Sequence, residues 1–118
     1  MKDARRRLGD AGEDLAAAAL KKQGYKIVER NWRSPLGEVD LIARHRGFLV
    51  LVEVKTRRNL TFGGPREAVS PAKQAKLRRL AEYYIREKRL GEVPVRFDVV
   101  GISIISDKQE IEIIPDAF

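Results

Sequence analysis

One strand-length run, Phe48-Leu49-Val50-Leu51-Val52-Glu53-Val54, constrains this chain more than any other feature. It is apolar at every position but one, with no polar alternation. A strand solvated on one face would alternate, so this one reads as a central strand buried on both faces. That calls for an α/β domain, a sheet with helices packed on it. The interruption is equally informative. Glu53 stands at the end of a buried run, where an unpaired charge is costly. Lys55 follows two residues later.

The flanking segments supply the other elements. Residues Ala4 to Gln23 read as a helix closed by Gly24, in the usual position past a helix C-terminus. Tyr25 to Arg33 reads as a strand, Ser34-Pro35-Leu36-Gly37 as a turn, and Glu38 to Ala43 as a second strand. Phe48 to Thr56 is the third strand. A polar stretch from Arg57 to Val69 contains Gly63-Gly64-Pro65 and reads as a loop that orders on nucleic acid. Ser70-Pro71 opens a second helix, with Ser as N-cap and Pro at the first helical position. It runs to about Leu90 with Leu77, Leu80, Ala81, Tyr84 and Ile85 as its apolar stripe. Strands over Val95–Ile105 and Glu110–Ile114, joined by a turn near Ser106-Asp107-Lys108, complete the order α-β-β-β-α-β-β. With 118 residues and no repeat or linker, residues 1–118 form a single domain.

The second and third strands make the sharpest prediction. If they form a tight antiparallel hairpin centred between Arg46 and Gly47, paired numbers sum to a constant. Asp40 then opposes Glu53, and Glu38 opposes Lys55. Residues two apart share a face, so all four side chains project together, with opposed Cβ atoms roughly 5 Å apart. Glu38 with Lys55 is a favourable pair, whereas Asp40 with Glu53 is a like-charge pair that destabilises a sheet. A divalent cation between the carboxylates would remove that penalty, and hard cations such as Mg²⁺ prefer carboxylate, water and phosphate oxygens. Such a site suits phosphodiester hydrolysis. The metal polarises the phosphoryl oxygen and activates water, while a lysine stabilises the developing charge. A one-residue slip in register would separate the carboxylates, and an exposed ion-pair ladder is the plainer alternative.

Composition narrows the partners. The formal net charge is +7 and 35% of residues are charged, which favours a polyanion. Nucleic acid and an anionic membrane surface both qualify. No segment approaches the roughly 20 apolar residues needed to cross a bilayer. There is no cysteine, which excludes disulfides and thiolate metal sites, and one histidine, His45, which excludes a multi-histidine zinc site. Arg5-Arg6-Arg7 is followed by acidic residues and alanines rather than an apolar stretch, so a cytoplasmic protein without an export signal is expected. The basic residues cluster: Arg44 and Arg46, Arg57 and Arg58, Lys73 and Lys76 are expected to contact nucleic acid. Asp98 is expected to pair with a neighbouring arginine, and Trp32 and Tyr25 to be core or edge aromatics.

Asp40, twelve intervening residues, then Glu53-Val54-Lys55 resembles the PD-(D/E)xK nuclease signature, with Val39 where the motif carries proline. The resemblance extends over nearly the whole chain. Gly12-Glu13-Asp14-Leu15-Ala16, Asn31-Trp32-Arg33, Gly37-Glu38-Val39-Asp40-Leu41-Ile42, Val52-Glu53-Val54-Lys55-Thr56 and Arg96-Phe97-Asp98-Val99-Val100 are similar to the uncharacterised bacterial YraN-like family. That family has a restriction-endonuclease-like fold similar to Holliday-junction resolvases. The resemblance implies a central mixed five-stranded sheet flanked by helices and a metal-dependent endonuclease acting on DNA, branched or structured. It implies Mg²⁺ or Mn²⁺ held by Asp40, Glu53 and the first-helix Glu13, with Lys55 assisting the attacking water and Gln74 flanking the site. A resolvase would also need a homodimer, since it requires two active sites. A non-catalytic nucleic-acid-binding module on the same fold and a protein-interaction module using the terminal strands are the competing expectations.

Overall fold

The computed structural model describes residues 4–57 and 69–118, with side chains from residue 11 onward except those of residues 57 and 105. Helix α1 (Ala4–Lys22) precedes β1 (Lys26–Ser34), β2 (Gly37–His45) and β3 (Phe48–Arg57). Helix α2 (Pro71–Glu87), β4 (Val95–Ile105) and β5 (Lys108–Ile114) follow. The five strands form one sheet in chain order, β1-β2-β3-β4-β5. All neighbours run antiparallel except β3 and β4, which are parallel. That exception follows from connectivity, because parallel neighbours need a crossover and α2 lies in it. The sheet is mixed and five-stranded, as the family resemblance implies.

Strand β3 is covered on both faces. Val50 and Val52 join Ala16, Ala17 and Leu20 of α1 in one core, together with Leu41, Ala43, Val100 and Ile102. Leu49 and Leu51 join Leu77, Leu80, Ala81 and Tyr84 of α2 in the other, with Trp32, Val39, Ile42 and Val99. Each such buried aliphatic side chain contributes about 1.5–3 kcal/mol. Helix α1 approaches β3 closely at Gly12, where a Cβ would collide with Thr56 Oγ1.

The helix ends have local causes. After α1, Gly24 (φ +88°) takes the left-handed position. Its N–H reaches Lys21 O at 3.1 Å, and the Tyr25 N–H reaches Leu20 O at 3.0 Å. Ser70 caps α2, its Oγ accepting from the Lys73 N–H at 3.2 Å, with Pro71 first in the helix. Helix α2 stops at Glu87, short of the expected Leu90. Arg89 (φ +54°) turns left-handed, donating to Arg86 O at 3.3 Å, while the Leu90 N–H reaches Ile85 O at 3.0 Å. The closing motif of α1 recurs here with arginine in the glycine position. The expected nucleic-acid loop lies almost entirely outside the described residues, as does Arg58.

Candidate active site

The β2–β3 register is the expected one over His45↔Phe48 to Leu41↔Val52, after which the ladder stops. Asp40 is the next residue, and its side chain interrupts the pattern. Asp40 Oδ2 accepts the Val54 N–H at 2.8 Å, a donor that continued pairing would direct to the β2 backbone. The alternation of β2 breaks at the same place, since Val39 packs in the α2-side core and Leu41 in the α1-side core. β1 is distorted opposite. The pairs Arg30↔Leu41 and Trp32↔Val39 place Asn31 across from Asp40, and Asn31 has a left-handed backbone (φ +52°).

Glu53 lies on the α2 face, two residues after Leu51, and is buried. Lys55 Nζ stands 3.3 Å and Lys73 Nζ 3.5 Å from its Oε1. The Ser70 cap explains the second contact: it fixes the first turn of α2, from which Lys73 reaches back over β3. Two ammonium groups compensate a carboxylate that burial alone would penalise. Asp40 is half-buried and feels the same groups. Burial and then the Glu53 charge push its carboxyl up to about 6, while the Val54 amide, Lys73 and Lys55 oppose the rise. Asp40, Glu53, Lys55 and Lys73 therefore form one electrostatic unit.

Other sequence-predicted residues stand elsewhere. Glu38 faces Arg33 on β1, with Oε2 3.4 Å from Nε, and not Lys55. Ending the Asp40 ladder removes the pairing that would have joined Glu38 to Lys55. Glu13 lies on α1; with the Asn31 amide turned to donate, its nitrogen meets Glu13 Oε1 at 2.8 Å. Asn31 thus links Glu13 to the strand position opposite Asp40, from the α1 layer. Gln74 Nε2 donates to Val69 O at 3.2 Å, a contact within the entry to α2. Lys76 passes beside Gly37 (φ +142°), where a Cβ would stand 2.7 Å from Lys76 Cε. Arg44, near the end of β2, and Arg46, at the hairpin turn, lie about 13 Å and about 20 Å along the strand from Asp40 at the usual rise per residue. Arg57 is the last residue of β3.

Asp98 pairs with Arg96, as the sequence predicts, with Nε–Oδ1 and Nη2–Oδ2 both 2.9 Å. Tyr25 is buried and its hydroxyl donates to Asp98 Oδ2 at 2.6 Å. Sequence reasoning missed Lys73 as a partner of Glu53 and Asn31 as a partner of Glu13. A lysine three residues after an N-cap and an asparagine opposite the motif aspartate were the available signals.

The donors suit a hard divalent cation. Both acids are carboxylates, and Asp40 Oδ1 is not used in the Val54 contact. Among the described residues no three acidic or histidine side chains gather to hold an ion. Two carboxylates completed by water and phosphate oxygens are a common Mg²⁺ arrangement.

Sequence comparison places this chain among proteins of several bacteria. Residues 12–102 match the model of the uncharacterised protein family UPF0102. A UPF0102 protein of Syntrophotalea carbinolica is 49% identical over 94% of this chain and 90% of its own length. One from Rhodococcus opacus is 53% identical over 94% and 95%, and one from Caldicellulosiruptor saccharolyticus is 45% identical over 97% and 98%.

Proposed function

Because the chain belongs to the uncharacterised protein family UPF0102, whose name assigns no chemistry, we propose a function from its residues: metal-dependent hydrolysis of phosphodiester bonds in DNA, branched or structured DNA first among them. One observation carries this reading. Two interacting carboxylates, the buried Glu53 and the half-buried Asp40, stand where the β2–β3 ladder ends, with two lysines on Glu53.

Charge balance favours a joint arrival of cation and substrate. Two carboxylates and two ammonium groups cancel, so a phosphodiester alone would leave a net negative site and a divalent cation alone a net positive one. A cation held by Asp40 and Glu53 supplies, when bound, polarisation of the phosphoryl oxygen and a more acidic water. The protein's own groups do the rest. Lys55, tethered by Glu53, is placed to hold the attacking water or a phosphate oxygen. Lys73 adds a second positive charge from α2. The Val54 amide fixes Asp40 so that it presents Oδ1.

The test is cleavage of branched, flapped, single-stranded and duplex DNA with Mg²⁺ or Mn²⁺. The expected result is cleavage that Glu53→Ala abolishes and chelator stops; no cleavage of any substrate would reject the reading. The lysines on Glu53 favour one alternative, a non-catalytic nucleic-acid-binding module, since the four charges already cancel. That module would bind DNA without metal and tolerate Asp40→Ala.

A further inference from the structure

A second concentration of chemistry lies on the opposite face of the sheet, near the hairpin turn. A cavity of about 570 Å³ opens between the C-terminus of α1, the β2–β3 turn and β5, a usual size for small-molecule sites. Lys22, Arg46 and Arg96 line it, and among the described residues no carboxylate does. Asp98 is almost wholly buried and engages Arg96 Nε and Nη2, which leaves Nη1 outside that pairing. Arg96 Nη2 also donates to Tyr25 Oη at 3.0 Å and lies 2.8 Å from His45 Nδ1. The Tyr25 and His45 rings stack with centroids 3.9 Å apart and 2° between planes. The guanidinium is therefore held in place before any ligand arrives.

Another part of the cavity wall is apolar: Ile111, Ile113 and Pro115. Ile111 is one of the few large apolar side chains left exposed among the described residues, at 39%. The C-terminus of α1 would ordinarily repel an anion. Here the carbonyls of Leu20 and Lys21 are taken by the closing turn.

We propose that this cavity binds an organic phosphate with a flat apolar body, the chemistry of a nucleotide. Lys22 and Arg46, with no acid among the described lining residues, select an anion, and Arg96, its charge balanced by Asp98, adds guanidinium N–H donors that match phosphate oxygens. A phosphomonoester carries close to two negative charges at neutral pH, which matches the two uncompensated cations, Lys22 and Arg46, better than a single carboxylate would. An inorganic anion would leave the isoleucine and proline wall unused. The site does not depend on phosphodiester cleavage, since Asp40 and Glu53 belong to the other face. Its ligand is either a free mononucleotide or the phosphorylated 5′ end of a strand.

Calorimetric titration of the full chain separates these cases, with AMP, adenosine, inorganic phosphate, and tetranucleotides with and without a 5′-phosphate as probes. AMP is expected to bind saturably, with adenosine and phosphate each weaker by at least about tenfold. Lys22 and Arg46 are exposed, so Lys22→Glu and Arg46→Glu leave the fold intact and should each weaken AMP by about tenfold or more. Glu53→Gln, on the other face of the sheet, should leave AMP affinity unchanged. Tetranucleotide binding that requires the 5′-phosphate and competes with AMP assigns the strand end; AMP binding alone assigns the free nucleotide. No saturable AMP binding, or AMP affinity unchanged in the double charge reversal, overturns the proposal.

Discussion

Asp40 carries two burdens at once: it closes a hydrogen bond to Val54 and lies near the charge of Glu53. In the unfolded chain its carboxyl ionises near 3.8, and in the fold near 6. Between those values the folded state keeps a proton that the unfolded state has released, so stability falls as pH rises through that window. Asp40→Asn cannot ionise and can still accept from Val54. Without metal, its melting temperature should rise relative to the original protein between about pH 4 and about pH 7. Scanning calorimetry with chelator at both values checks this. Adding Mn²⁺ near neutral pH should stabilise the original protein, by about 2.7 kcal/mol at a hundredfold excess over Kd, and not Glu53→Ala. At the residue scale the motif acids were legible, because few groups can end a buried run as Glu53 does. The Asp40–Val54 bond was not, because a side chain competing with a ladder leaves no mark in periodicity. Lys73 was legible as a basic residue and not as a partner of Glu53, since that contact depends on how α2 lies across β3.

At the scale of elements, capping residues and periodicity sufficed for order and most boundaries. The β2–β3 register followed from one tight turn and the requirement that one face be apolar. The early end of α2 escaped, because Arg89 takes the left-handed position that glycine usually fills. A left-handed conformation costs a non-glycine residue about 1–2 kcal/mol, and glycine recovers most of it. Arg89→Gly should therefore stabilise the protein by about 0.5–1 kcal/mol in denaturant titration. Leu51 is 1% exposed in the layer under α2. Leu51→Ala should destabilise by about 2–5 kcal/mol and loosen the strand that carries Glu53. The Tyr25–His45–Arg96–Asp98 network was out of reach, because Tyr25 and Asp98 lie 73 residues apart in sequence.

Across the whole molecule the surplus of positive charge is divided. Lys55 and Lys73 lie at the carboxylates, on β3 and α2, and Lys76 lies beside Gly37 at the start of β2, whereas Arg44 and Arg46 lie toward the other end of the hairpin. Among the described residues no helix is long and apolar enough to cross a membrane. If DNA lies over the carboxylates, Lys76→Ala should weaken binding and flatten the log–log salt dependence by about 0.9. Arg44→Ala should leave that slope unchanged. Binding titrations at several salt concentrations distinguish the two. The central claim is that Asp40 and Glu53 jointly hold a divalent cation. Anomalous diffraction from crystals soaked in Mn²⁺ tests it most directly. The expected result is one peak between the two carboxylates, with Lys55 and Lys73 moved off Glu53. A featureless map there, with both lysines still on Glu53, would contradict it.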